Sequence, residues 1–468
     1  MHFNNNQSNM AKTLEQKLSK RSFGYTLLRN LLVGPALRLY YRKVDVIGAK
    51  TVPNTGPVIF APNHPNALMD ALLILCSKDR QPVFVARADI FKKPMIIAIL
   101  NFLRILPIFR KRDGGIASDN NQETFDVILK TLQSGQAIGI MPEGTHNDTK
   151  RLRMLQKGVF RMAMQAQEEH GNAPMIKIIP VGLDYISTRK FRSDVMIRFG
   201  NAIEVSDFYD LYVENQARAF KQMQDVMMEK MREGMIDIVN KQYYSEIEFL
   251  RRLYLQQAAQ RLGLDFHKAE HRLQTQQKTI AALQNYDQTN PDEMSKLCLA
   301  VRNYCAILEK HDIEEWMIES QPFSLAGLLG RSVLALLGIP FWILGMLFNY
   351  LPYKASGFAS RKVKDPQFVS SVQFVTGIVI FPIYHFIMAV LFVIFMPCIW
   401  SKIIMPLLMI PLGIFSWNYL LAMKKLVARF RFRFCKQGKN PEIEKAIELR
   451  KNIFERLDQI DLCFDFIH

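Results

Sequence analysis

Between residues 45 and 205, short apolar runs alternate with stretches whose apolar positions recur at helical spacing. PVIFA (57–61), PVFVA (82–86), AIGIM (137–141), IKIIPVGL (176–183) and VMIRFG (195–200) are short and continuous. That is the pattern of strands buried on both faces. The intervals 67–77, 91–103, 120–133 and 152–169 have helical spacing. Strands and helices in alternation predict an α/β layered domain with a mostly parallel sheet. Chemistry in such sheets gathers beyond the carboxyl ends of the strands.

The flanks differ. Positions 23, 27, 28, 31 and 32 are apolar at helix spacing, and Gly34-Pro35 is expected to break that run. Residues 1–44 then form an amphipathic helix pair, lying on a membrane or packed on its own domain. Residues 206–320 are polar and helical in pattern, and their methionine stripe, FKQMQDVMMEKMREGMIDI, fits core packing. YDQTNPDEM (286–294) has the composition of a loop.

Three long apolar stretches follow, at 323–351, 374–397 and 403–423. The last two are long enough to span a bilayer. Arg331 and the GIP at 338–340 interrupt the first. The loop after it carries Lys354, Arg361, Lys362 and Lys364, and the tail after 423 is also basic, whereas the link between the second and third stretches has only Lys402. The positive-inside tendency then predicts a transmembrane hairpin at 374–423 and a re-entrant or interfacial segment at 323–351. The expected divisions are 1–44, an α/β domain at 45–240, a helical region at 241–320, a membrane region at 321–425 and a basic cytoplasmic tail at 426–468.

Composition narrows the partners. A formal net charge of +17 over 468 residues favours a polyanion, either nucleic acid or an anionic membrane surface. Basic and aromatic residues alternate in RFRFRF (429–434), as in single-strand binders. Its place just after an apolar stretch favours anionic lipid headgroups instead, and no nucleic-acid partner is expected. None of the six cysteines forms a CxxC pair or stands at zinc-ligand spacing beside a histidine, so they are expected as reduced thiols. The first twenty residues have no apolar core of signal-peptide type, so the first domain is expected to stay in the cytoplasm.

NHPNALMD (63–70) follows the first strand directly. Pro65 biases His64 toward extended geometry. Asp70 falls one to two turns into the next helix, where its carboxylate can fold back to an imidazole nitrogen. The other ring nitrogen would then be free as a general base toward an alcohol. Standing alone, the same pair also fits a satisfied strand-end histidine. IMPEGTH (140–146) follows another strand. Gly144 permits a tight turn, Thr145 offers a hydroxyl, and Glu143 can accept from a substrate hydroxyl or order the turn's backbone. Arg110 in LPIFRKRDGG (106–115) and Lys157 at a helix start can hold a phosphate.

These blocks resemble, in order, those of the glycerolipid acyltransferases of the PlsC type. NHPNALMD matches the NHxxxxD block, LPIFRKRD the arginine-bearing block, PEGTH the PEGT block, and IIPVGL (178–183) the fourth, apolar-proline block. The resemblance covers residues 22 to about 240. The helical insert, the apolar C-terminal region and the KVKDPQF stretch look similar to the longer glycerol-3-phosphate acyltransferases of the fungal type. The resemblance implies that His64 deprotonates the acceptor hydroxyl with support from Asp70, and that the oxygen attacks the thioester of acyl-CoA or acyl carrier protein. No cofactor or metal is implied. Arg110, Glu143, Gly144 and Thr145, with Lys157, would position a glycerol phosphate or a 1-acylglycerol-3-phosphate. His146 departs from the Arg or Ser often found there, and leaves room for another lysolipid, such as an amino-acid-headed one. A non-catalytic membrane scaffold is the reading from outside enzymes, and the intact His64, Asp70 and Glu143 argue against it.

Overall fold

Val58–Pro62 (β2) is buried along its whole length, which is why its sequence shows no polar alternation. In the computed structural model, which describes residues 22–91, 94–108, 117–146, 149–173, 175–319, 324–437 and 440–462, this strand lies in the middle of an eight-stranded sheet. The others are β1 (Lys43–Ile47), β3 (Val83–Arg87), β4 (Ile105–Ile108), β5 (Ala137–Gly139), β6 (Lys177–Tyr185), β7 (Asp194–Phe199) and β8 (Ile203–Glu204). Their order is β1-β7-β6-β2-β5-β3-β4, with β8 on β6. β2 pairs in parallel with β5 and β6, and β3 with β4 and β5. Only β7 and β8 run antiparallel to β6, and β1 follows β7. The mostly parallel α/β sheet is the one expected. Beyond the five expected strands it adds β1, β4 and β8. β1 is half exposed, so its apolar signal is weak. β8 has two residues, and β4 is only four residues long.

The helices between strands are α3 (Ala67–Ser77), α4 (Pro94–Phe102), α5 (Ala117–Gln133) and α6 (Lys157–Gln167). α6 starts five residues later than expected, because 151–156 form no helix. α7 (Tyr209–Glu214) and α8 (Gln216–Gly234) complete this layer. The methionine stripe is core: Met223, Met227, Met231 and Met235 are buried with Phe160, Met164 and Ile178 in one apolar cluster. β6 approaches the end of α8 so closely that a side chain at Gly182 would run into the Gly234 carbonyl.

At the N-terminal side, α1 (Phe23–Leu28) and α2 (Gly34–Tyr40) are joined by a π-turn at Arg29–Val33. The expected break at Gly34-Pro35 does not occur. Pro35 stands in the first turn of α2, where a missing N–H matters least. One face buries Tyr25, Val33, Leu37 and Tyr40, while Phe23, Leu27 and Leu31 form an exposed apolar stripe.

The chain divides into two compact units. The first runs to Asp237 and also includes Val363–Val372; the second holds Ile238–Lys362 and the rest. The stretch expected as a loop of the membrane region is therefore part of the α/β unit.

The second unit is helical: α9 (Tyr244–Leu253), α10 (Leu255–Arg261), α11 (Ala269–Thr289), α12 (Pro291–Lys310), α13 (Glu315–Glu319), α14 (Leu325–Ser360), α15 (Val369–Phe395, its first turn in the first unit), α16 (Ile399–Gln437) and α17 (Pro441–Asp458). The loop expected at 286–294 is a single-residue break at Asn290 between α11 and α12, with Pro291 in α12's first turn and Asp292 and Glu293 complementing the helix dipole. Among the described residues, three helices are long and apolar enough to cross a membrane, at Leu325–Ser360, Pro366–Phe395 and Ile399–Arg433. α14 runs unbroken through Gly338 and Pro340, where an interruption was expected. It lies antiparallel to α16. Tyr419 donates to the Ala335 carbonyl at 2.7 Å, Ser416 to that of Trp342 at 3.0 Å, and Asn349 to that of Met409 at 2.9 Å. The basic tail begins as the last turns of α16, and α17 then buries Ile443, Ala446, Ile453 and Leu457.

Candidate active site

β2 ends in the NHPNALMD motif. The Asn63 amide is clamped across the sheet: its oxygen accepts from Leu183 N–H at 2.7 Å, and its nitrogen donates to the Leu183 carbonyl at 3.0 Å. This pairing fixes the chain just before His64. The turn that follows is strained, since Ala67 takes a φ of 44°. It brings the first turn of α3 back toward the strand end, so that Asp70 meets His64.

His64 Nδ1 and Asp70 Oδ2 are 2.9 Å apart, and Asp70 has no exposed surface. As a carboxylate, Asp70 only accepts, which places the hydrogen on Nδ1 and leaves Nε2 as the basic nitrogen. The same oxygen accepts the Asn66 backbone N–H at 2.8 Å. The other oxygen accepts from Tyr185 OH at 2.5 Å. Burial holds the Tyr185 phenol well above its ordinary range, so it remains a donor. Three donors thus hold one buried carboxylate.

The loop after β5 supplies the second motif. Gly144 has a φ of 68°, the left-handed conformation that permits the tight turn. Gly144 N–H returns to the Met141 carbonyl at 3.1 Å. Glu143 is buried and accepts the His64 backbone N–H at 3.4 Å. This contact ties the PEGTH turn to the backbone of the NHPNALMD turn. Burial pushes its carboxyl up to about 7. Ionising such a group costs folded-state stability, and the cost grows as pH climbs from the ordinary carboxyl range through about 7. Glu143→Gln removes that cost. In thermal denaturation the variant should exceed wild type by ~3 kcal/mol at pH 8, with the gain shrinking to under ~1 kcal/mol by pH 5. Equal gains at both pH values would show that the charge is not the cause.

His146 stands beside the dyad. Its ring meets that of His64 edge-to-face, with centroids 5.6 Å apart. Nε2 of His146 is 2.7 Å from Asp365 Oδ2, and the Phe368 ring packs on the imidazole at 5.0 Å. Ser370, a few residues on, donates to Asn66 Oδ1 at 2.5 Å.

The structure therefore brings His64, Asp70 and Glu143 together with His146. Thr145 is exposed and accepts from Arg153 at 2.7 Å. Lys157 is exposed at the start of α6. Arg110 lies outside the described residues. A cavity of about 370 Å³ lined by Thr149, Arg151, Leu152, Arg153 and Met154 adds two arginines after the PEGTH turn. Sequence reasoning missed Tyr185, Asn66 and Asp365. Tyr185 follows the fourth block by two residues, which was its only signal. Among the described residues no His, Cys, Asp or Glu cluster fits a metal, and Cys76, Cys298, Cys305 and Cys398 are free thiols.

Residues 43–184, which contain both motifs and all but one strand residue of the dyad's support, match the family model described as Acyltransferase. This stretch is an acyltransferase-family domain. Over 206 residues the chain is 25% identical to glycerol-3-phosphate O-acyltransferase 1 of Saccharomyces cerevisiae, covering 43% of this chain and 26% of that protein. Over 163 residues it is 24% identical to the 1-acyl-sn-glycerol-3-phosphate acyltransferase of Borreliella burgdorferi, covering 35% of this chain and 59% of that protein. The chain thus spans less than two thirds of either relative. A crystal structure of the 1-acyl-sn-glycerophosphate acyltransferase PlsC from Thermotoga maritima aligns with a TM-score of 0.31 at 17% identity, covering 48% of this chain and 83% of that one. Tyr185 lies just beyond the matched acyltransferase domain, and Asp365 far beyond it.

Proposed function

We propose that this chain transfers a fatty acyl group from an acyl thioester to a hydroxyl of glycerol-3-phosphate or 1-acylglycerol-3-phosphate. The observation that carries this reading is the 2.9 Å pairing of His64 Nδ1 with the fully buried Asp70 at the end of β2. It leaves Nε2 directed to substrate chemistry as a base. Nε2 takes the hydroxyl proton as the oxygen attacks the thioester carbonyl. The C–S bond then breaks, and the same nitrogen returns the proton to the departing thiolate. No acyl-enzyme forms, so no side-chain nucleophile is needed. The two relatives named above act, by their names, on glycerol-3-phosphate and on its 1-acyl form, which supports an acceptor of that class. Arg151 and Arg153 join Arg110 and Lys157 as candidate phosphate ligands. Purified protein given one acyl-CoA and a panel of glycerol-3-phosphate, 1-acylglycerol-3-phosphate and an amino-acid-headed lysolipid tests the acceptor class. Use of the last in preference to both phosphates would overturn it.

The same reading extends to the membrane. Among the described residues, no segment apolar enough to cross precedes α14, and the stretch that follows it belongs to the catalytic unit. α14 therefore starts and ends on the side where catalysis occurs, as expected for a re-entrant or interfacial segment. α16 runs along it lengthwise and shares its depth. Lying in one face of the membrane suits both helices, in place of the crossing hairpin expected from charge. Within the first unit, the exposed stripe of Phe23, Leu27 and Leu31 also suits contact with a membrane surface. The face is the cytoplasmic one, where thioester donors are made. In sealed vesicles, protein with Cys398 as its only cysteine should not label from the side opposite to a Lys364→Cys reporter. Labelling of Cys398 from that opposite side would restore the hairpin.

A further inference from the structure

The segment Val363–Val372 lies about 180 residues beyond the end of the family match, yet it meets both catalytic motifs. Asp365 Oδ2 stands 2.7 Å from His146 Nε2, and Phe368 packs on the same ring. At the far end of the segment Ser370 donates to Asn66, whose backbone N–H is bonded to Asp70. The segment thus braces the PEGTH turn at one point and the NHPNALMD turn at the other.

We infer that Asp365 is a positioning residue for acyl transfer: it fixes His146 beside His64, so that the second nitrogen of His146 meets the polar head of the acceptor. This rests on the acyltransferase reading. An imidazole with no anchor rotates about its side-chain bonds and exchanges tautomers. A carboxylate at Nε2 accepts a hydrogen there and settles both, as Asp70 does for His64. Phe368 removes the remaining rotation by closing one side of the ring. The rings of His146 and His64 are then held in edge-to-face contact, with centroids 5.6 Å apart, so a hydroxyl delivered to His64 arrives beside His146. The acceptor, not the thioester, is the substrate with such groups. His146, which departs from the Arg or Ser often found there, acquires a defined task through a residue contributed from a distant part of the chain.

Asp365 also has a local role, because its other oxygen accepts the Gln367 backbone N–H at 3.1 Å and caps the turn. Asp365→Ser separates the two roles. Serine caps well but is too short to reach His146. Asp365→Asn keeps both an oxygen at Nε2 and the cap. With the full-length chain, glycerol-3-phosphate and one acyl-CoA, Asp365→Ser and His146→Ala should each raise the acceptor KM about tenfold or more and leave the donor KM within about twofold. Asp365→Asn should fall between them and wild type. The Asp365→Ser/His146→Ala double variant should be no worse than His146→Ala alone, since the two act as one unit. An unchanged acceptor KM in Asp365→Ser reduces Asp365 to a cap and overturns the inference. So do multiplicative effects in the double variant, or equal shifts in both KM values. A second readout needs no turnover. In ¹⁵N spectra of histidine-labelled protein, the signal lost in His146→Ala should show a single Nε2–H tautomer in wild type and a mixture in Asp365→Ser. A single tautomer in both overturns the positioning role, whereas a wild-type protein that acylates no offered acceptor overturns only the function on which it rests.

Discussion

His64→Ala should lower acyl transfer by ~100- to 10,000-fold while leaving acyl-CoA binding and the melting transition in place. The side chain is only partly buried, and its backbone N–H to Glu143 survives the change. Loss of stability is therefore small, and the loss of rate reports chemistry. The size follows from the task. Without a base, the acceptor must attack as a neutral alcohol or lose its proton to water, and neither suits a thioester at neutral pH. A folded variant that kept a tenth of wild-type turnover would remove His64 from the role of base.

The second large effect lies at Asp70. Asp70→Asn should cut kcat by about 100-fold, because an amide nitrogen placed against Nδ1 no longer requires a hydrogen there, and the tautomer with basic Nε2 loses its anchor. Asp70→Ala should do worse and also destabilise the fold. It strands the donors on His64, Asn66 and Tyr185 in a site with no exposed carboxylate surface, at ~1–3 kcal/mol for each donor left buried and unpaired. Tyr185→Phe removes one donor and leaves the carboxylate, so a fall of about tenfold at most is expected. Kinetics of the three variants at saturating donor, beside their melting curves, check this ranking. If Tyr185→Phe proved as damaging as Asp70→Asn, Tyr185 would belong to the reaction itself.

How much of this was legible in the chain depended on sequence distance. His64 and Asp70 lie within one eight-residue stretch, and the rules for a proline after a histidine and a carboxylate in the next helical turn suffice to join them. The five expected strands announced themselves because each is built on a short apolar run. β1 did not, because its residues at the sheet edge are half exposed. Gly144 was readable from the tight turn it permits, and the structure gives it a positive φ. Glu143 was seen as important but its contact was left open, since only the fold brings the His64 N–H to it. Tyr185 looked like any core aromatic at a strand end. The KVKDPQF resemblance marks the stretch around Asp365, but 219 residues separate it from His146 and no local pattern joins the two. The apolar stretches were legible as helices because each is long and continuous.

The mechanism ties release of the thiol to the arrival of a hydroxyl, since nothing in it stores the acyl group on the protein. Thiol release from acyl-CoA by the purified full-length chain, followed with and without glycerol-3-phosphate or 1-acylglycerol-3-phosphate, tests that coupling. The account expects release only when one of these acceptors is present, matched mole for mole by new ester, and almost none from His64→Ala. A burst of thiol before any acceptor is added, or no release with either acceptor, would contradict it.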